Sequence, residues 1–447
     1  MTVPGSIRRA LSGRTRAGAT AQTFLTQIAI LGVNVITGII TARRLGPDGR
    51  GELAAILLPG VIANAMTLGM PSAVTYLFRR HPDARRALFT GALAISLALG
   101  ILAALVGFVV VPHWLHQYPA QDIRVAQLLM LVAPVTLATM VVASVLAVEG
   151  DFTAANQTRY LVPALTLAAL LVCWATGHLT PIAAAFAYGL PSIPVLLLRV
   201  APLWRQFRPG RGGLRHSTRL LLNYGARSYG IDLVGTFSVQ VDQALVVAFL
   251  SPAAMGTYAV ALSASRVLNA LQGSIVTVLL PSVAGRPVAD VVALTTRAAR
   301  VCTALGAPVA AAIAVAGPLA IRVMYGARFA GAVPVFRILL VEVVLGGATW
   351  ILVQAYMAVG RPGIVTTLQT CGLALSIPLM VVLVPRFGLV GAALALLVST
   401  SVRLLLTLAG YRRLLKVSIP QLMVSVDDVL LVWRRFVGVD EQLRQEV

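Results

Sequence analysis

The sequence has few charged residues and almost no lysine. Asp, Glu, Lys and Arg make up 11% of the 447 residues, and Lys416 is the only lysine. Soluble domains carry roughly a quarter charged residues, so this composition excludes an ordinary soluble protein. The mean hydropathy of +0.87 leads to the same conclusion. We therefore predict an all-α, polytopic membrane protein.

Cysteine is scarce and the usual catalytic motifs are missing. Cys173, Cys302 and Cys371 lie in separate apolar runs, which argues against a disulfide or a metal site. The sequence contains neither a phosphate-binding glycine loop nor a zinc-binding HExxH motif. Glu149 and Asp151 are paired carboxylates that would suit a membrane glycosyltransferase, but a solvated loop beside a turn glycine is the simpler interpretation. We expect no cofactor, no metal and no enzymatic activity.

Long apolar runs dominate what is present. A helix of about 20 apolar residues crosses the hydrocarbon core of a bilayer. We predict twelve such spans, at residues 20–42, 52–78, 87–111, 124–148, 156–177, 181–203, 220–249, 256–284, 298–322, 334–358, 364–384 and 388–409. They divide the chain into a basic cytoplasmic N-terminal segment (1–19), an N-lobe (20–203), a basic cytoplasmic linker (204–219), a C-lobe (220–410) and a cytoplasmic or interfacial tail (411–447).

Arginine supplies nearly all of the positive charge, and its position indicates orientation. The net charge is +21, but the arginines lie in short loops between apolar runs, which disfavours nucleic acid as a partner. Most of them lie in alternate loops, and this asymmetry predicts that both termini are cytoplasmic. Arg43, Arg44 and Arg50 are exceptions, because this topology places them on the outer face.

A turn sequence recurs between the two halves. "RRLGPDGRGELA" (43–54) is followed about 205 residues later by "AFLSPAAMGTYA" (248–259), with Leu, Pro, Gly and Ala in matching positions. Each half holds an even number of spans, so the repeats are parallel and related by an axis along the membrane normal. We predict two six-helix lobes around a central cavity. In each repeat, proline is expected to start the turn and glycine to let the backbone reverse.

Several segments resemble a known family. "ARRLGPDGRGELAAILLPGVIANAMTLGMPSAVTYLFRR" resembles the N-terminal signature of bacterial Wzx-type oligosaccharide and polysaccharide flippases, and "VDQALVVAFLSPAAMGTYAVALSASRVL" and "YGARFAGAVPVFRILL" are similar to later segments of that family. The same superfamily contains multidrug MATE exporters and lipid II flippases. The resemblance covers about residues 20–415.

The resemblance implies a bacterial inner-membrane protein that works by alternating access. Its cargo would be a lipid-linked oligosaccharide or polysaccharide precursor, carried from the cytoplasmic to the outer leaflet. The implied partners are the lipid bilayer and, further on, glycan assembly enzymes. Two alternatives stay open: a cation-coupled small-molecule exporter of the MATE type, and a membrane glycan polymerase or glycosyltransferase.

Charged residues within the spans are the first candidates for a site, because burying them in hydrocarbon is costly. Asp242 and Arg266 are expected to differ in depth by only about 5 Å, so they could pair across a hairpin. Arg266 would then be a cavity cation for a pyrophosphate, or the pair would simply join two helices. Asp232 is a candidate for ion coupling. For Arg337, Glu342 and Arg403 we favour a solvated rim or a snorkelling side chain.

The first span offers uncharged polar candidates. Gln27, Asn34 and Thr37 lie on a broadly shared helix face and could line the substrate cavity or bond a neighbouring helix. This span has no acidic residue, unlike the MATE exporters that couple to a cation through an aspartate there. That difference favours a flippase over a drug exporter.

Overall fold

The chain is helical throughout the part that the structure describes. A computed structural model describes residues 16–207, 213–283 and 286–420, and all regular structure within those ranges is helical. The α-helices are α1 (Arg16–Ala63), α2 (Met70–Arg80), α3 (Arg85–Trp114), α4 (Ala120–Met130), α5 (Ala133–Val148), α6 (Phe152–Ala175), α7 (Pro181–Gly189), α8 (Ser192–Phe207), α9 (Leu214–Phe249), α10 (Pro252–Ser265), α11 (Asn269–Val283), α12 (Val288–Met324), α13 (Ala332–Ala358) and α14 (Pro362–Leu414).

These helices confirm the prediction of an all-α membrane protein. Seven helical segments are long and apolar enough to cross a membrane, and α4 with α5 forms an eighth that is bent by 41°. Helix α14 contains the last two predicted spans and breaks at Gly388, whereas α1 contains the first span and the start of the second and breaks at Gly46. Both glycines have positive φ values, 70° and 57°, which L-residues with a side chain rarely adopt.

The chain forms two compact units, residues 1–259 and 260–447. This division does not test the predicted lobe boundaries (20–203 and 220–410), which stay a prediction. The first unit is built on apolar side chains of α2, α3 and α5, and the ring of Phe207 contacts those of Phe78 and Phe89. In the second unit, Tyr356 and Tyr411 pack edge to face at 5.4 Å, and their hydroxyls donate to the carbonyls of Thr407 and Leu352.

The two repeated turns contact each other inside the first unit. Gly51 packs against the carbonyl of Pro252, and Gly256 packs against the carbonyl of Pro47. A methyl group at either glycine would overlap that backbone oxygen, so only glycine fits. The reciprocal contact is what an internal two-fold relation between the repeats would produce.

The turn itself differs in one respect from the sequence-based expectation. The first reversal occurs at Gly46, and Pro47 follows it at the start of the continuing helix. At the second turn, Leu250 is extended and α10 begins at Pro252. Gly51 and Gly256 therefore do not reverse the chain, because they lie within helices and permit the two turns to pack.

Candidate functional site

The first unit has a cavity of about 770 Å³ lined by arginine and tyrosine, which we call the basic pocket. Helix α2 supplies most of its wall, with contributions from α5, α6 and α9. Its polar lining residues are Ser72, Thr75, Tyr76, Arg79, Arg80, Ser144, Arg159 and Tyr224. No acidic side chain lines the pocket among the described residues.

The three arginines of the pocket are exposed and available to a ligand. Arg79 and Arg80 end α2, and Arg159 lies in the second turn of α6. Within the described residues, Arg79 and Arg159 have no hydrogen-bond or ion-pair partner, whereas Arg80 donates to the hydroxyl of Tyr76 at 2.9 Å. A guanidinium binds two oxygens of a phosphate at once, so this arrangement suits an anion with several oxygens.

Two stacked tyrosines form an aromatic wall of the pocket. The rings of Tyr76 and Tyr224 lie 4.6 Å apart at an interplanar angle of 15°. Tyr224 comes from α9, and the close approach of that helix requires Gly225, which packs against the Leu68 carbonyl. A side chain at position 225 would overlap that oxygen and push the two rings apart.

Two carboxylates in the turn between α5 and α6 have structural partners. Glu149 forms an ion pair with Arg85 at 3.1 Å, and the Asp151 side chain accepts a hydrogen bond from the Ala154 amide at the start of α6. Asp151 is thus the N-cap of that helix. These contacts give both residues a role without catalysis, in agreement with the preference for a loop over a glycosyltransferase pair.

The structure places the three polar candidates of the first span in different environments. Gln27 and Asn34 are exposed, seven residues apart on one face of α1. Thr37 is buried, and its hydroxyl donates to the Asn34 carbonyl at 3.0 Å. Thr37 therefore bonds its own helix, whereas Gln27 and Asn34 stay available as predicted cavity residues.

The predicted charged candidates occupy different parts of the chain. Asp242 is buried and accepts a hydrogen bond from Tyr258 at 2.8 Å. Arg266 opens a short 3-10 helix in the second unit, so its pairing with Asp242 stays a prediction. The side chain of Asp232 lies outside the described residues.

A polar cluster in the second unit was not foreseen. Glu342 accepts a hydrogen bond from Thr400 at 2.7 Å, and Arg403 lies one helical turn beyond Thr400. The side chain of Arg403 packs close to Gly372. A solvated rim or snorkelling was expected for these residues because the sequence does not reveal that α13 and α14 pack together.

Comparison with known proteins places the chain in a family. The sequence profile of the family described as "Polysaccharide biosynthesis protein" matches residues 40–334, about two thirds of the chain. None of the curated protein sequences matches it.

Solved structures with the same fold are membrane transporters. An inward-facing MATE-family multidrug transporter of the MOP superfamily shares 17% identity at a TM-score of 0.69, covering 87% of this chain and 96% of its own. The lipid II flippase MurJ in an inward closed conformation shares 15% identity at a TM-score of 0.71, covering 91% and 89%. A MOP-superfamily transporter from Pyrococcus furiosus shares 16% identity at a TM-score of 0.57, covering 92% and 98%.

Proposed function

Because the chain belongs to the polysaccharide biosynthesis protein family and has the fold of MOP-superfamily transporters, we propose that it translocates a lipid-linked oligosaccharide or polysaccharide precursor across a membrane. The direction is from the cytoplasmic to the outer leaflet of a bacterial inner membrane. The observation that carries the proposal is the basic pocket, with three arginines and no acidic lining residue in the described chain.

The chemistry of the pocket fits the head of such a lipid. A phosphate-linked glycan combines negative oxygens with sugar hydroxyls and rings, and it crosses hydrocarbon unaided only at great cost. Arg79, Arg80 and Arg159 would hold the phosphate oxygens. Hydroxyls such as Ser72 and Ser144 would bond the sugar, and the tyrosine wall would pack against its ring. The lipid tail would remain in the bilayer throughout.

The location of the pocket agrees with loading from the cytoplasm. It lies beside arginine-rich loops, which the positive-inside rule assigns to the cytoplasmic side. Alternating access would then carry the bound head to the outer side. Asp242, Arg266, Gln27 and Asn34 are proposed to contact it on the way, since a moving polar head needs partners at each depth.

The two alternatives fit the pocket less well. A cationic drug would be repelled by three unneutralised arginines, which disfavours a MATE-type exporter of cations. A glycan polymerase would need free carboxylates, but Glu149 and Asp151 are committed to an ion pair and a helix cap.

Reconstitution into liposomes tests the proposal. A fluorescent glycan linked to a lipid through a diphosphate is supplied on one side, and its appearance in the other leaflet is followed for wild type, Arg79→Ala, Arg159→Ala and Arg266→Ala. Each lost charged hydrogen bond is worth about 1.5–3 kcal/mol, so each pocket variant should translocate at least about tenfold more slowly. Arg328→Ala, which removes an exposed arginine outside the pocket, is the matched control. Export of a cationic dye without glycan translocation would instead assign the protein to the drug exporters.

A further inference from the structure

A buried carboxyl group lies at the end of the first unit where the two turns meet, which we call the turn end. Asp122 is in the first turn of α4 and is only 4% exposed, yet its Oδ2 atom has no hydrogen-bond partner among the described residues. The hydroxyl of Tyr118, four residues earlier and equally buried, also has none. Buried polar atoms are nearly always bonded, so two unpartnered atoms in one short segment make it a candidate binding site.

A second carboxylate shares this environment. Glu52 is half-buried on α1, which packs against α4. Burial raises the pKa of the Tyr118 phenol, and the negative charges of Asp122 and then Glu52 raise it further. The three side chains therefore lie close enough to interact electrostatically. We call Asp122 and Glu52 the acid pair.

The acid pair lacks a positive partner. In the part of the chain that the structure describes, neither carboxylate forms an ion pair, although the protein carries a net charge of +21. The other charged or titratable groups at this end of the elements packed against α4 are Asp48, Arg43, Arg44 and Arg50 on α1, His113 on α3 and Tyr188 on α7, with Arg124 on α4 itself. Asp48 interacts with Glu52 and adds negative charge, while Arg44 stacks on Trp174.

A buried carboxylate that lies near a second negative charge stays ionised only at a cost in free energy. Protonation of one carboxyl group removes one of the two charges. We propose that the acid pair and Tyr118 form a proton-binding site through which transport is coupled to proton movement. This inference rests on the proposed function as a transporter, but proton binding itself does not.

The acid pair lies beside the contacts that hold the turn end together. Glu52 directly follows Gly51, which contacts the Pro252 carbonyl. On the other side, Trp114 and Gln117 donate hydrogen bonds to the carbonyls of Ala244 and Ala248 at 3.1 and 2.6 Å, which fixes the segment carrying Tyr118 to the end of α9. A proton entering or leaving here changes the charge where these elements dock. Repulsion within the ionised acid pair would loosen the closed turn end, and protonation would stabilise it.

Infrared difference spectroscopy on the purified full-length protein measures proton binding without requiring transport. Wild type is titrated in sodium-free buffer, and the protonated-carboxyl band is compared with those of Asp122→Asn and Glu52→Gln. Asp83→Asn, which removes an exposed aspartate at the opposite end of α3, is the matched control. We expect a band that persists above the ordinary aspartate pKa of about 4, disappears in Asp122→Asn, shifts in Glu52→Gln and is unchanged in Asp83→Asn.

Liposomes with an imposed pH gradient add the transport measurement. The gradient should accelerate glycan translocation by wild type and by Asp83→Asn, and Asp122→Asn should lose that acceleration. The proposal is overturned if no band depends on Asp122, or if sodium at constant pH produces the Asp122-dependent change. Translocation without an Asp122-dependent band refutes the proton site alone, whereas the band without any glycan translocation refutes the proposed function and leaves the site standing.

Discussion

The two ends of the first unit handle charge in opposite ways. At one end, which we call the arginine end, Arg79, Arg80 and Arg159 surround an open cavity. At the turn end, backbone packs on backbone at Gly51 and Gly256, and a carboxylate is buried. Helix α9 reaches both ends, because Tyr224 stacks in the pocket and Ala244 bonds Trp114, about 30 Å further along at 1.5 Å per residue.

The two ends differ in where their arginines lie more than in how many they have. The turn end also has arginines, but Arg44 stacks on Trp174, and Arg43, Arg44 and Arg50 are not among the residues that line the basic pocket. The first unit has an open cavity at one end and closely packed turns at the other, about one bilayer thickness apart, and a carrier needs such an arrangement in one of its two access states. The following predictions alter one end at a time.

The largest effect is expected where the two turns pack against each other at the turn end. In Gly51→Val the new side chain would overlap the Pro252 carbonyl, and we expect a loss of about 3 kcal/mol in stability. Thermal unfolding in detergent measures this loss. Gly60→Val is the matched control, because the same helix has open space at that position. Equal unfolding temperatures for the two variants would show that the turns are not packed as described.

The arginine end should depend on the aromatic wall. Tyr224→Ala removes the stack on Tyr76, worth about 1 kcal/mol, and translocation should slow about fivefold. Tyr224→Phe keeps the ring and should retain nearly the full rate. The same liposome assay decides the matter, and a Phe variant as slow as the Ala variant would mean that the hydroxyl, not the ring, contributes to the pocket.

The smallest effect is expected at the helix cap beside the pocket. Asp151→Ala removes the bond to the Ala154 amide and should cost about 1 kcal/mol of stability, with an unchanged rate per folded molecule. Asp151→Ser, which can cap the helix, should recover most of that stability. A rate that collapses in the well-folded Ser variant would reopen a catalytic role for this carboxylate.

Most of the fold could be predicted from the sequence. Apolar runs and the residues that interrupt them locate the helices, because a segment in hydrocarbon must make all its backbone hydrogen bonds internally, as a helix does. The recurring Leu, Pro and Gly of the two turns also indicated the repeat, and the reciprocal contact of Gly51 and Gly256 explains why the glycines recur. The break at Gly46 was not predicted, since proline seemed to be the stronger turn signal.

The site was much less predictable. Arg79, Arg80 and Arg159 served only as indicators of orientation, because they lie some eighty residues apart in the chain and meet only through the packing of α2 and α6 around one cavity. Tyr224 gave no signal, because its role depends on the close approach allowed by Gly225. Asp122 also gave no signal, since burial cannot be read from a short polar segment.

The central claim is that the basic pocket recognises the negative charge of a lipid-linked substrate. The most direct measurement compares translocation of one glycan on a diphosphate-linked lipid and on an uncharged lipid, by wild type and by the combined variant Arg79→Ala, Arg80→Ala, Arg159→Ala. We predict that wild type strongly prefers the diphosphate substrate and that the variant loses this preference, whereas Arg328→Ala retains it. An undiminished preference in the triple variant would contradict the account and move charge recognition away from this pocket.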